Sequence, residues 1–267
     1  MSSLVRRVHD AQPALFWAGL GLLALMLPST VAAGFDDRLL NGINVWIKPL
    51  KFQASAGVYL LTLGACFLAL PRGADRRRSG RYVVWASIVT AWFEVVYITI
   101  MAARGEASHW NFSSAFTGFM YTAMGAAALV LSSTSAVLGV MIARDRAVAL
   151  DPALRHGLVA GLVLSFVLGA AFGVAMSAGQ GHWVGGTPSD AQGLPLFKWS
   201  RDGGDLRVAH FFGLHAMHFI PAFAWLASRA AAAARARALT YTFAAAFTVF
   251  TVLTFMQAMM GRPFLPA

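Results

Sequence analysis

Charge is scarce in this chain: 12% of its 267 residues are Asp, Glu, Lys or Arg, against about 25% in an ordinary soluble domain. Acidic residues are scarcer still, 11 against 21 basic ones. There is one cysteine, Cys66, inside an apolar run, so a disulfide framework, a thiolate zinc site and an iron–sulfur cluster all lack ligands. Any metal must be held by His, Met or carboxylate. Internal repeats of the kind that build inverted-repeat transporters are also missing. What is abundant is apolar surface, with 58% hydrophobic residues and a mean hydropathy of +0.63. A formal charge of +10 then reads as loop charge that orients a membrane protein, and no nucleic-acid partner is expected.

A spanning helix needs about 20 mostly apolar residues. Cutting the chain at its charges predicts an all-α integral membrane protein, one transmembrane domain over 1–267 with seven spans near 13–33, 54–71, 82–103, 115–143, 156–178, 208–228 and 238–260. The first could be mistaken for a signal peptide, because Arg6 and Arg7 precede an apolar run ending in Val31-Ala32-Ala33. Its length and the six spans that follow favour a helix, kinked by Pro28. Alternate loops carry 13 and 8 Lys and Arg residues, which predicts the N-terminus inside and the C-terminus outside. A multi-pass membrane protein follows from these features. The connections 34–53 and 179–206 then lie outside. The second, rich in Gly and Pro yet carrying Trp183 and Trp199, should fold back onto helix ends. The Ala/Arg run 230–238 reads as a helical connector.

The reactive side chains are not evenly spread. Five of seven histidines (His109, His182, His210, His215, His218) and eight of eleven methionines fall in the expected outer half. Imidazole and thioether are ligands for copper and haem iron. In the sixth span His210, His218 and His215 fall at about 0°, 80° and 140° around the helix, so they share one side. That side should face protein, since imidazoles against lipid lack partners. Glu94 is the one acidic residue well inside a span. It lies about 15 Å from the outer boundary, at the depth of His218, and is the candidate catalytic carboxyl, in a proton relay or ligand pair with a sixth-span histidine. Lys48 and Lys51, one helical turn apart, would meet phosphate headgroups. With Arg207 they would alternatively hold an anionic group such as haem propionates or a substrate carboxylate. His109, in the turn after the third span, closes the same face.

Three segments carry a resemblance: Trp46-x-Lys48-Pro49-x-Lys51-Phe52-x-x-Ser55, then Arg104-Gly105 with Ser108-His109-x-Asn111, then Gly204-Asp205-Leu206-Arg207-x-x-His210-Phe211-x-Gly213-Leu214-His215-Ala216. In these the chain resembles a family of bacterial polytopic membrane proteins of unknown function. The resemblance implies no activity. It does imply that the His218 position accepts glutamine, which favours His109, His210 and His215 as metal ligands.

The leading expectation is a membrane oxidoreductase for electron transfer, metal-binding through haem b or less readily copper, near the outer face. Haem needs apolar walls, axial His or Met ligands and cations for its propionates. Quinone or an external electron-transfer protein would be its partner besides the lipid bilayer, and a homo-oligomer is compatible with it. From another class comes a zinc-dependent intramembrane lipid hydrolase, with three nitrogen ligands and a water. A carrier or assembly protein, with histidines and Glu94 as a proton relay, is the third alternative.

Overall fold

In a computed structural model the described residues are 3–179 and 181–266, and seven of their helices or helix pairs are long and apolar enough to cross a membrane. The spans are Pro13–Phe35, Ile47–Ala69, Arg78–Arg104, Ala115–Arg144, Pro152–Ser177, Leu206–Ala230 and Ala233–Met259. Every expected span is present, and most are longer than expected because the helices run into their charged flanks, where the arginine stems still pack against apolar surface.

The chain opens with α1 (Ser3–Ala11), and Gln12 caps the next helix by accepting from the Ala14 N–H. The first span is two helices, α2 (Pro13–Ala24) and α3 (Met26–Phe35). The expected kink therefore appears one turn before Pro28, where the proline ring meets the Ala24 carbonyl. β1 (Leu39–Leu40) and β2 (Ile43–Asn44) form a small hairpin. Asn41 and Gly42 both have positive φ (54° and 80°), the conformation that an Asn-Gly hairpin turn requires. Then come α4 (Ile47–Cys66), α5 (Arg78–Arg104), α6 (Ala115–Arg144) and α7 (Pro152–Ser177). A second short pair, β3 (Trp183–Val184) with β4 (Gly204–Asp205), precedes α8 (Leu206–Ala230) and α9 (Ala233–Met259). The Ala/Arg run is thus the start of α9 rather than a separate connector.

Packing divides the chain into two compact units, one ending at Thr134 and the other beginning at Ser135. In the first, α2 lies against α4 at a glycine crossing: a Cβ on Gly19 would stand 2.9 Å from the Gly57 carbonyl oxygen, and one on Gly57 3.0 Å from that of Gly19. Such close backbone approach is how helices associate where lipid removes the hydrophobic drive. Tyr97, Ile98, Met101 and Met124 join α5 to α6 in a buried cluster. In the second unit α7, α8 and α9 pack together, with Ala216, Ile220, Ala244 and Phe247 in the α8–α9 core.

The connection 34–53 folds back onto the end of α5. Arg38 pairs with the Asp36 carboxylate (2.7 and 2.9 Å) and also donates to the Ala103 carbonyl at 2.9 Å, serving one of the orphan carbonyls at the helix terminus. Trp46 donates its indole N–H to Asp36 at 2.8 Å. The Arg38 and Trp46 hydrogen bonds hold the Asp36 carboxyl well below the usual carboxylate range.

Candidate functional site

The second unit carries the histidine helix. Asp205 starts α8 as its N-cap, accepting from the Arg207 N–H at 3.0 Å, and this fixes where the three imidazoles fall along the helix. His210 meets α7. Its Nδ1 lies 3.1 Å from the Gly169 carbonyl oxygen, which can only accept, so Nδ1 carries the hydrogen and Nε2 is the basic nitrogen of the neutral ring. The ring rests on a glycine face, since a Cβ on Gly173 would stand 3.1 Å from its Cε1. Among the described residues Nε2 makes no hydrogen bond.

His215 and His218 are turned to each other instead, with their Nδ1 atoms 3.1 Å apart. One must donate and the other accept, so the pair shares a proton. Phe211 covers His215 at a centroid distance of 4.1 Å. The three histidines do share one side of α8, but they do not converge: among the described residues no three His, Cys, Asp or Glu side chains are grouped as a metal ion would need. His210 is drawn off by the α7 carbonyl.

Arg207 is not placed as a cation awaiting an anionic ligand. Its guanidinium donates to Asp190 (2.7 Å), to Asp205 (2.7 and 2.9 Å) and to the Lys198 carbonyl (2.7 Å). Both carboxylates are buried. The β3–β4 pair aligns Trp183 with Asp205, and His182 brings its Nε2 to 3.6 Å from Asp190. Arg207 therefore ties Asp190 and Lys198 of the connection to the start of α8, so the guanidinium expected to help hold propionates has a structural role. Burial pushes the His182 imidazole below the ordinary histidine range, with Asp190 pulling the other way. The sequence shows Asp205 through its position just before a helix; Asp190, 17 residues from Arg207, carries no local signal.

Glu94 and the two lysines belong to the first unit. Lys48 Nζ lies 3.1 Å from His109 Nδ1, and the Ser108 hydroxyl is also 3.1 Å from that nitrogen. Burial, and then the Lys48 charge, hold His109 well below the ordinary range, so Lys48 is the charged donor and His109 the neutral acceptor. Lys48 is thus turned to protein rather than only to headgroups. Lys51 is half-buried one turn further along α4.

Glu94 is buried, its Oε1 has no hydrogen-bond partner among the described residues, and Lys48 is within electrostatic reach of it. The expected partner of Glu94, a histidine of α8, lies in the other unit, so within its own unit Lys48 is the countercharge. Two further buried polar atoms of this unit escape a sequence reading. Gln53 donates to Ser29 (2.8 Å) and Thr99 (3.3 Å), while among the described residues its Oε1 and the Tyr97 hydroxyl have no partner. Buried polar groups in such a state are where ligands or waters are held.

No protein-family model, curated protein or solved structure matches the chain, so the chemistry of these side chains is what a functional reading rests on.

Proposed function

We propose that the chain is a multi-pass membrane redox protein that takes a haem b-type iron on α8, with His210 as an axial ligand. The way His210 is held supports this reading. Metal-bound histidines commonly donate one ring N–H to a backbone carbonyl, which fixes the ring and leaves the other nitrogen for the metal. His210 has that arrangement with Gly169, and among the described residues its Nε2 makes no hydrogen bond. Copper is the lesser form of the proposal, a single ion replacing the proton shared by His215 and His218. Zinc hydrolysis needs three protein ligands on one ion, and the scattering of His, Cys, Asp and Glu among the described residues, with His210 apart from the other two, speaks against it.

A proton relay is the second reading, favoured by the His215–His218 bond and by Lys48, His109 and Glu94 in the first unit. The absorption spectrum and metal content of the purified protein separate the two. A Soret band with about one iron per chain is the expected result; a colourless, iron- and copper-free protein from haem-supplied cells overturns the redox reading and leaves the relay.

We also place the protein in the bacterial inner membrane, where helical spans rather than barrels are the rule, with its N-terminus inside. On this orientation a cysteine at exposed Gln192, in a Cys66→Ser background, reacts with an impermeant maleimide in intact cells. Reaction only after lysis would reverse the topology.

A further inference from the structure

The basic side chains of the first unit fall into two groups by what they touch. At the end where α4 begins and α5 finishes, Arg38, Lys48 and Arg104 are each hydrogen-bonded to a protein group. At the opposite end, Arg6 and Arg7 on α1 and Arg72, Arg76, Arg78 and Arg81 around the start of α5 are all exposed. Among the described residues none of these six side chains takes part in a hydrogen bond or an ion pair.

The backbone that carries them is well held. The Arg76 and Arg77 N–H groups donate to the Gly73 and Ala74 carbonyls at 3.1 and 3.3 Å. Ala74 is buried, and a Cβ on Gly80 would run into its carbonyl, so the turn Ala74–Arg76 is seated on the first turn of α5. The helix α1 comes to the same end, packing on α4 and on the short turn Phe67–Ala69 that follows it. Positive charge is therefore fixed there and poorly offset. The ten residues 72–81 contain five arginines and one acid, Asp75, which makes no ion pair among the described residues. Asp10 of α1 is bonded to His9 at 2.9 Å. The first turn of α5 has no acid, so the helix dipole adds to the charge instead of opposing it. An anion from outside the chain is what this end lacks.

Apolar neighbours identify the anion. Trp17, near the start of α2, is 60% exposed, and Trp85, near the start of α5, is 58% exposed. Indole rings at the ends of spans are the mark of the headgroup level. Leu4 and Val5 of α1 are exposed as well, while Arg6 lies about 160° and 100° around the helix from them. That is the form of a helix lying in the membrane surface, apolar side toward the acyl chains. A nucleic acid or an acidic soluble protein would meet the arginines and leave these side chains unmatched. A zwitterionic headgroup brings its own cation and leaves the charge as it was.

We propose that α1 and the 72–81 run form a binding site for anionic phospholipid, with the six arginines on the phosphates and the acyl chains along Trp17 and Trp85. Guanidinium forks suit phosphate oxygens, which they can grip in pairs. The site holds for either orientation of the chain and needs neither haem nor a proton relay.

The test titrates the full-length protein, in detergent micelles, with phosphatidylglycerol or phosphatidylcholine and counts bound lipid by native mass spectrometry. The wild type should bind the anionic lipid more tightly, and the preference should shrink as salt is raised. Arg72→Gln/Arg76→Gln/Arg81→Gln should lower phosphatidylglycerol affinity by about ten-fold or more, each basic residue beside an anionic surface being worth about five-fold. A phosphatidylglycerol with a photoreactive headgroup should label peptides within 3–11 and 70–82 of the unaltered chain, a readout that does not depend on the variant folding. Equal affinity of the wild type for the two lipids, wild-type affinity in the triple variant, or label on other segments only would each overturn the site. Displacement of the lipid by inorganic phosphate or an RNA oligonucleotide at equal concentration would overturn the choice of a lipid.

Discussion

His210→Ala should reach the membrane at the wild-type level and purify without a Soret band. The variant removes one hydrogen bond, Nδ1–H to the Gly169 carbonyl, worth about 1 kcal/mol. That is small beside the roughly 5–15 kcal/mol that holds a folded chain together. The Gly169 carbonyl keeps its own helical hydrogen bond, and Ala fits the face that Gly169 and Gly173 leave open. The fold therefore has little reason to fail. Ligation is different, because no second imidazole can take the place of His210: His215 lies five residues on, about 7.5 Å along the helix, and its Nδ1 is engaged with His218. The control is His218→Gln, which keeps a hydrogen-bonding side chain beside His215. It should retain haem in full. A wild-type spectrum in His210→Ala would place the iron elsewhere, and loss of colour in both variants would point to the His215–His218 pair.

The spans could be read from the sequence because charge is excluded from the bilayer core residue by residue, so gaps between charges are themselves the helices. Pro28 is legible for a similar reason: a ring without an N–H acts within one turn. The site was legible only as a set of residue types. Helical spacing puts His210, His215 and His218 on one side of α8, but whether they converge depends on what faces them. A backbone carbonyl of α7, 41 residues away, leaves no mark in the sequence. The same holds for Lys48 and His109, 61 residues apart, where two groups assigned to separate roles form one contact. Arg207 reads as an anion site from its place at a helix start, while its bond to Asp190, 17 residues away, exists only in space.

Those neighbours predict the other large effect. In Arg207→Met the Asp205 and Asp190 carboxylates, with side chains 0% and 7% exposed, lose the guanidinium that pairs them. Breaking a buried ion pair by removing one partner costs about 3–5 kcal/mol, since the remaining charge stays buried without compensation. The spanning helices do not depend on this cluster. The cost should therefore appear as opening of the 179–206 connection rather than as global unfolding, raising the open population by roughly a hundred- to several-thousand-fold. Trypsin can read this out at Lys198 and Arg201, cleavage there being fast in Arg207→Met and slow in the wild type, with α7, α8 and α9 intact in both. The wild-type loop should also depend on pH through His182. Burial lowers the folded-state pKa of that imidazole below its ordinary 6.5, so the opened loop binds the proton more readily than the closed one. Closure is then fully stabilised above about pH 6.5 and weakens as pH falls below it, and His182→Gln should flatten that dependence. Equal trypsin sensitivity of Arg207→Met and wild type would show that hydrophobic contacts such as the Phe197–Trp199 stack, with centroids 4.5 Å apart, hold the loop without the ion cluster.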